Sequence, residues 1–239
     1  MAREKNIDRD TVLDAMANAI EIAGRKKYGV EHNIKAEIDK KTGAISLHRL
    51  TEVVADEVEK LVKIITAAKK IPIVVGGGHN NSYPLLKGAA KGWHKAGKIP
   101  LAQLNCINLD AHADYRPMEG RHSGNAFRYA EEDGYLQKYC VIGLHENYIP
   151  QNSWVDIVNN PFIDCITFED IFVHDKRTFL QSVAHATGFT EDTMTGIDLD
   201  LDAIQNTLSS AMTPVGISPV HARQYVSFAA RSEEHTSEL

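Results

Sequence analysis

Short apolar runs recur along the chain, and three of them are followed at once by a cluster of glycine, histidine or aspartate. Ile71-Pro72-Ile73-Val74-Val75 leads into Gly76-Gly77-Gly78-His79. Cys106-Ile107-Asn108-Leu109 leads into Asp110-Ala111-His112-Ala113-Asp114, and Met194-Thr195-Gly196-Ile197 into Asp198-Leu199-Asp200. Cys140-Val141-Ile142-Gly143-Leu144 and Cys165-Ile166-Thr167-Phe168 repeat the apolar half of the pattern. The Ile71 run reads as a buried strand. Longer segments such as Pro84 to Ala96 and Asp175 to Gly188 separate several of the runs and are long enough to be helices. Alternation of this kind predicts an α/β fold with a mainly parallel sheet. Ligands of such sheets gather at the carboxyl ends of the strands, where the polar clusters fall.

The clusters suggest a chemistry. In an extended chain, residues two apart point to the same face. Asp110, His112 and Asp114 are therefore expected to converge, as are Asp198 and Asp200. With His79 they make four carboxylates and two imidazoles, too many for one ion but suited to two that share carboxylates at roughly 3.5–4 Å separation. Packed carboxylates repel and raise one another's pKa, so cations are their natural partners. Oxygen-rich donors with some imidazole and no thiolate suit manganese, with iron or magnesium as alternatives. A lone His79 beside a glycine turn would read as an ordinary histidine, and Asp198 with Asp200 alone as a solvated strand end. The three segments together, in this order, single the set out.

The totals set bounds. The chain has 239 residues and a formal net charge of -6, with 43% hydrophobic and 24% charged residues. That is an ordinary globular composition, enough for one large domain or two small ones. Mild acidity argues against a nucleic-acid-binding surface over the whole chain. No apolar run approaches the ~20 residues a membrane span needs, and the polar start has no apolar signal core, so a cytoplasmic location is expected. Cys106, Cys140 and Cys165 are far apart, and each lies in an apolar run, which predicts buried reduced thiols.

The chain divides into three pieces. In residues 1–56, Asp8 or Asp10 can cap a helix carrying Val12, Met16, Ala19, Ile20 and Ala23 at helical spacing, with Arg25, Lys26 and Lys27 at its C-terminal end and Gly29 as its stop. Alternating Ile34, Ala36 and Ile38, a turn over Asp39 to Gly43, and Ile45-Ser46-Leu47 predict a β-hairpin. The stretches Arg3 to Arg9, Arg25 to Gly29 and Ala36 to Gly43 resemble the opening of bacterial NusA, a transcription elongation and termination factor. That resemblance implies binding to RNA polymerase through residues 1–56; nothing in the chain matches that family's S1 and KH domains. Residues 57–230 hold the apolar runs and metal-type clusters, preceded by a helix over Val58 to Lys69 with Val58, Leu61, Val62, Ile65 and Ala68 on one face. Residues 231–239, Arg-Ser-Glu-Glu-His-Thr-Ser-Glu-Leu, have no apolar face and match, codon for codon, the translation of a common sequencing adapter. They are read as translated adapter and set aside.

The segment from Ile71 to Phe228 resembles the ureohydrolase (arginase) superfamily, which includes arginase, agmatinase and formimidoylglutamase. The resemblance implies a three-layer α/β/α fold, two Mn2+ ions and hydrolysis of an amidine or guanidine C–N bond. By matching position, His79, Asp110, Asp114 and Asp198 would hold one ion, and Asp110, His112, Asp198 and Asp200 the other. The nucleophile would be a hydroxide between the metals, with no catalytic side chain beyond it. Gly78 stands where arginases usually carry aspartate, and Phe127 where they carry a shuttle histidine. Asp114-Tyr115-Arg116 and His122-Ser123-Gly124-Asn125-Ala126-Phe127 look more like formimidoylglutamase, which converts N-formimino-glutamate to glutamate and formamide; arginase or agmatinase specificity is the alternative. Arg116 is a candidate carboxylate clamp or an ordinary surface arginine. Ser123 and Asn125 are candidate contacts to the substrate's amino-acid end or turn formers. Asp202 is a candidate partner holding one of the ligands. A complete homologue is expected to form an oligomer. Glu57-Val58-Glu59-Lys60 joins the two resemblances with no linker of Gly, Pro or Ser. The chain is therefore expected to be a truncated, inactive chimera, with a polymerase-binding module as the competing reading.

Overall fold

A computed structural model describes residues 9–28, 34–38, 45–49, 52–209 and 211–236. The chain separates into two compact units, residues 1–57 and 58–239.

In the first unit, helix α1 (Arg9–Tyr28) is followed by strands β1 (Ile34–Ile38) and β2 (Ile45–Arg49). The strands pair antiparallel, with Ile34 opposite Arg49 and Ile38 opposite Ile45. The Glu21 carboxylate of α1 accepts the Ala36 backbone N–H at 3.1 Å, tying helix to hairpin. Because α1 already includes Asp10, that residue is not its cap. Asp8, Gly29 and the turn over Asp39 to Gly43 lie outside the described residues. Helix α2 (Glu52–Ala67) starts earlier than the periodicity suggests and runs through the boundary expected at residue 57.

In the second unit, α2 continues to α3 (Ser82–Lys95), β3 (Leu104–Leu109), α4 (Ala126–Glu132), β4 (Leu136–Leu144), α5 (Gln151–Asn159), β5 (Ile163–Thr167), α6 (Phe168–Phe172), α7 (Phe179–Thr190), β6 (Thr195–Leu199) and α8 (Pro219–Thr236). The four strands form one parallel sheet in the order β5-β4-β3-β6. Alternation along each strand divides the core between the two faces. Cys106, Tyr139 and Val141 pack on one side with Tyr83, Leu86, Phe127 and Ile157. Ile107, Leu109, Cys140 and Ile142 pack on the other with Phe179, Val183, Ala222 and Tyr225. Helices thus cover both faces, giving the expected α/β/α layers. Each fully buried Ile, Leu or Val contributes about 1.5–3 kcal/mol relative to exposure. Cys106 and Cys140 are buried and Cys165 half-buried, all as free thiols.

The run Ile71 to Val75 is not a strand. It makes no ladder, and Ile71, Ile73 and Val75 are 72%, 88% and 93% exposed. A β-branched composition describes a chain that fits a pleated, half-buried surface, but a strand also needs a neighbour to accept its hydrogen bonds. Here the run pairs with no strand, and β6 pairs with β3 alone. The backbone of α8 remains helical to Thr236. Among the described residues, no helix is long and apolar enough to cross a membrane.

Candidate metal centre

The polar clusters converge at the carboxyl end of the sheet. Strands β3 and β6 run side by side in register, Asn108 opposite Asp198, and the Asp200 N–H donates to the Leu109 carbonyl at 3.1 Å. This places Asp110, just past β3, beside Asp198 and Asp200. His79 arrives from the glycine turn. Gly76 and Gly77 have φ of +90° and +93°, the left-handed region where a side chain is strained. A Cβ on Gly77 would also lie 2.5 Å from the Asn81 side-chain nitrogen.

The His79 ring sits among four carboxylates drawn from separate parts of the chain. Its Nδ1 lies 2.7 Å from Asp114 Oδ2, 3.0 Å from Asp200 Oδ2 and 3.4 Å from Asp110 Oδ2, and its Nε2 lies 3.3 Å from Asp198 Oδ2. His112 Nδ1 lies 3.0 Å from Asp202 Oδ2 and 3.6 Å from Asp110 Oδ1. Asp110, fully buried, belongs to both sets. The alternation argument explains this only in part. Asp198 lies within β6 and Asp200 one residue past its end. Beyond β3, however, the chain turns, and Asp114 reaches His79 from a left-handed backbone with φ of +45°, which aspartate tolerates better than most residues.

The groupings also differ from those implied by the resemblance. Side-chain donors close enough to share an ion are His79, Asp110, Asp114 and Asp200 in one set, and Asp110, His112 and Asp202 in the other. Asp200 falls with His79 because the ring lies against it. The Asp198 carboxylate instead accepts the Ser82 hydroxyl at 2.6 Å while keeping its contact to His79. Asp202, expected to hold one of the ligands, lies in the second set, with its Oδ2 3.0 Å from His112 Nδ1. Its spacing, two residues beyond Asp200, is the signal that marks it.

Backbone and neutral side chains orient this set. Asp110 Oδ1 accepts the His112 N–H at 2.8 Å, and Oδ2 accepts the buried Asn108 amide at 2.9 Å. Asp200 accepts the Asp202 N–H at 3.0 Å. Tyr225, fully buried on α8, donates to the carbonyls of Ile107 and Asp198, both at 2.9 Å. Phe127 walls the site with an edge-to-face contact to the His79 ring.

The electrostatics follow from crowding. Burial, reinforced by the Asp114 charge, pushes the Asp110 carboxyl up to about 8. Burial also raises Asp114. Burial works in the same sense on Asp198 and Asp200, but contact with His79 overrides it and holds both below the usual carboxylate range. Burial alone would depress His79, yet contacts with Asp114, Asp198 and Asp200 raise it well above the ordinary histidine value. Hydrogen bonding to Asp110 and then to Asp202 raises His112 to about 10. The crowded carboxylates therefore favour positive charge beside them, as the upward shifts of both imidazoles express. A cation fits the same preference. Both His79 ring nitrogens and Asp202 Oδ1 are buried without a well-formed hydrogen bond, one residue in each donor set, which suits them to serve as ligand atoms. The donor set is oxygen and imidazole throughout, as a hard or borderline divalent ion prefers.

The candidate substrate residues are less uniform. Arg116 is exposed, with its stem over Gly124, and among the described residues its guanidinium makes no ion pair. Ser123 is half-buried in the turn before α4. Asn125 is committed to the loop, where its carbonyl accepts the His122 N–H at 3.0 Å and its amide donates to Pro117 and Gly120 carbonyls at 3.1 and 2.9 Å. Of its two expected roles, this geometry favours the turn former.

A sequence model of the arginase family matches residues 13–234, and the chain belongs to that family. A formimidoylglutamase of Streptococcus pyogenes serotype M6 is 26% identical over 179 residues, 72% of this chain and 53% of that protein. The crystal structure of a Trypanosoma cruzi formiminoglutamase with Mn2+ superimposes with a TM-score of 0.62 at 22% identity, over 73% of this chain and 58% of that one. The chain thus spans about half the length of these relatives. NusA of Rickettsia prowazekii (strain Madrid E) is 45% identical over 64 residues, 27% of this chain and 13% of that protein.

Proposed function

We propose that the arginase-like part of this chain carries a formimidoylglutamase-type centre, in which two Mn2+ ions serve hydrolysis of the amidine C–N bond of N-formimino-glutamate to glutamate and formamide. The observation that carries the reading is the His79 ring placed within 3.4 Å of Asp110, Asp114, Asp198 and Asp200. His79, Asp110, Asp114 and Asp200 would hold one ion, with Asp198 beside His79, and Asp110, His112 and Asp202 would hold the other. Bound manganese supplies Lewis acidity and lowers the pKa of water toward neutrality. The chain's own groups do the rest. Asn108 and the His112 N–H fix Asp110, Ser82 fixes Asp198, and the wall of Phe127 keeps water from one side of the His79 ring. In this reading Arg116, exposed and next but one to Asp114, would pair with a substrate carboxylate, and Ser123 would hydrogen-bond its amino-acid end. The test is Mn2+-dependent turnover by the full chain of formimino-glutamate, arginine and agmatine. A higher kcat/KM for formimino-glutamate supports the assignment. Preference for arginine or agmatine rejects the specificity but keeps the metal chemistry, and no turnover of any of them accords with the inactive chimera expected from sequence.

The 45% identity to NusA over 64 residues favours a second reading for the N-terminal unit, an RNA polymerase-binding fragment. Retention of purified bacterial core polymerase on the immobilised full chain tests it. Loss of that retention on deleting residues 1–56 supports the reading, and absence of any retention rejects it.

A further inference from the structure

His112 is the more open of the two candidate imidazole ligands, since the His79 side chain is only 11% exposed. The His112 side chain is 30% exposed, and its Nδ1 is held only from the side of Asp202 and Asp110. Tyr148 covers the ring face, stacked nearly parallel at a centroid distance of 5.2 Å and an angle of 15°. Tyr148 stacks in turn on His145 at 5.0 Å and 17°, and His145 on Phe168 at 4.5 Å and 16°. The stack is anchored at its inner end, where His145 and Phe168 are 7% and 8% exposed. It is also tied to the ligand loop, since the His145 N–H donates to the Ala111 carbonyl at 3.1 Å and the Tyr148 N–H to the His145 carbonyl at 3.0 Å. The short turn Glu146–Tyr148 is bound to the start of α6 through the Glu146 N–H and Glu169, 3.2 Å apart.

We infer that Tyr148, backed by His145 and Phe168, is a positioning residue that fixes the imidazole plane of His112 and so sets the affinity of the ion on the Asp110–His112–Asp202 side. An imidazole free to rotate about χ2 must be ordered when a ligand binds, and that ordering weakens binding. A ring stacked before binding has already lost the freedom. Aromatic pairs in offset stacks favour this arrangement, and the stack needs the ring of Tyr148 rather than its hydroxyl. The metal side of the inference rests on the proposed dinuclear centre; the ring geometry does not.

The full chain is compared with Tyr148→Ala and Tyr148→Phe in two measurements. In the metal-free chain, the carbon-bound ring-proton resonances of His112 should move in Tyr148→Ala, where the ring current is lost, and stay near the wild-type position in Tyr148→Phe. In Mn2+ titrations followed by calorimetry and electron paramagnetic resonance, Tyr148→Ala should weaken one of two equivalents about 10–100-fold, the usual cost of losing a group that holds a ligand. The spin-coupled pair signal should disappear, the other equivalent should stay, and Tyr148→Phe should restore both. Unmoved His112 resonances in Tyr148→Ala overturn the inference. So does equal weakening of both equivalents together with a lower metal-free melting temperature. A wild-type chain that takes up no Mn2+ removes the dinuclear reading instead, and the resonance comparison then decides the role of Tyr148 by itself.

Discussion

The rings of His79 and Phe127 meet edge to face with centroids 5.5 Å apart, and Phe127 stacks on Tyr139 at 4.3 Å. Phe127 is fully buried, so it serves both as core and as the wall of the candidate site. Truncation leaves a cavity beside the least hydrated histidine of the cluster. Phe127→Ala should destabilise the chain by about 3–5 kcal/mol, the usual range for a buried phenylalanine. Urea denaturation of the metal-free chain measures this. A cost below about 1 kcal/mol would mean the ring is not packed as described.

The Asn108 amide bridges Asp110 Oδ2 at 2.9 Å and the Tyr139 hydroxyl at 3.1 Å, and Tyr139 in turn donates to the Ala113 carbonyl at 3.0 Å. Asn108 thus connects the carboxylate shared by both donor sets to the loop that carries Asp114. Asn108→Ala should lower Mn2+ affinity about 10–100-fold while the fold survives. Calorimetric titration with circular dichroism as a control tests this; unchanged affinity would show that Asp110 is held by its backbone contacts alone.

The site was legible in the sequence to the extent that its chemistry follows strand ends. Asp110 lies just past β3, Asp198 and Asp200 lie at the end of β6, and β4 and β5 also form where apolar runs lie. Two features were not legible, each for a physical reason. Ile71 to Val75 has strand composition, but strand formation depends on a neighbour that local sequence does not specify. Tyr148 lies in a three-residue turn without periodicity, and its stacking on His112 joins segments more than thirty residues apart.

Helices α2 and α3 approach closely at Gly92, and this reverses the usual effect of a helix glycine. Gly→Ala in a helix normally gains about 0.5–1 kcal/mol. At Gly92 a Cβ would lie 2.7 Å from the Lys63 carbonyl and collide with the Thr66 hydroxyl, and Thr66 is itself fully buried. Gly92→Ala should therefore destabilise by about 1–3 kcal/mol, as overpacking does. Gly188 in α7 is the control: nothing lies within 4 Å of its added Cβ, so Gly188→Ala should stabilise by the ordinary amount. Thermal melts of both variants decide the matter, and stabilisation by Gly92→Ala would contradict the close approach.

The same helix pair carries an ion-pair network whose pH dependence has a definite sign. Glu59 of α2 lies 2.7 Å from Lys91 Nζ and 3.1 Å from Lys87 Nζ, with all three side chains partly covered. Burial alone would raise the Glu59 carboxyl, but the hydrogen bonds to Lys91 and Lys87 outweigh it and hold the pKa below its ordinary 4.5. Burial alone would lower Lys87, but Glu59 and Tyr83 raise it above its ordinary 10.5. A depressed acid stabilises the fold above its unfolded pKa, and that contribution is lost as pH falls through the folded value. A raised base stabilises below its unfolded pKa, and that contribution is lost as pH rises through the folded value. The network is therefore fully present between pH 4.5 and 10.5 and fades outside that window. Because these groups remain partly solvated, Glu59→Gln should cost only about 0.2–1 kcal/mol near neutral pH. The difference from wild type should shrink toward zero as the pH falls well below the ordinary carboxylate range. Denaturation midpoints of the two proteins across that range check the sign, and a gap that persists undiminished in acid would show that Glu59 contributes by packing rather than charge.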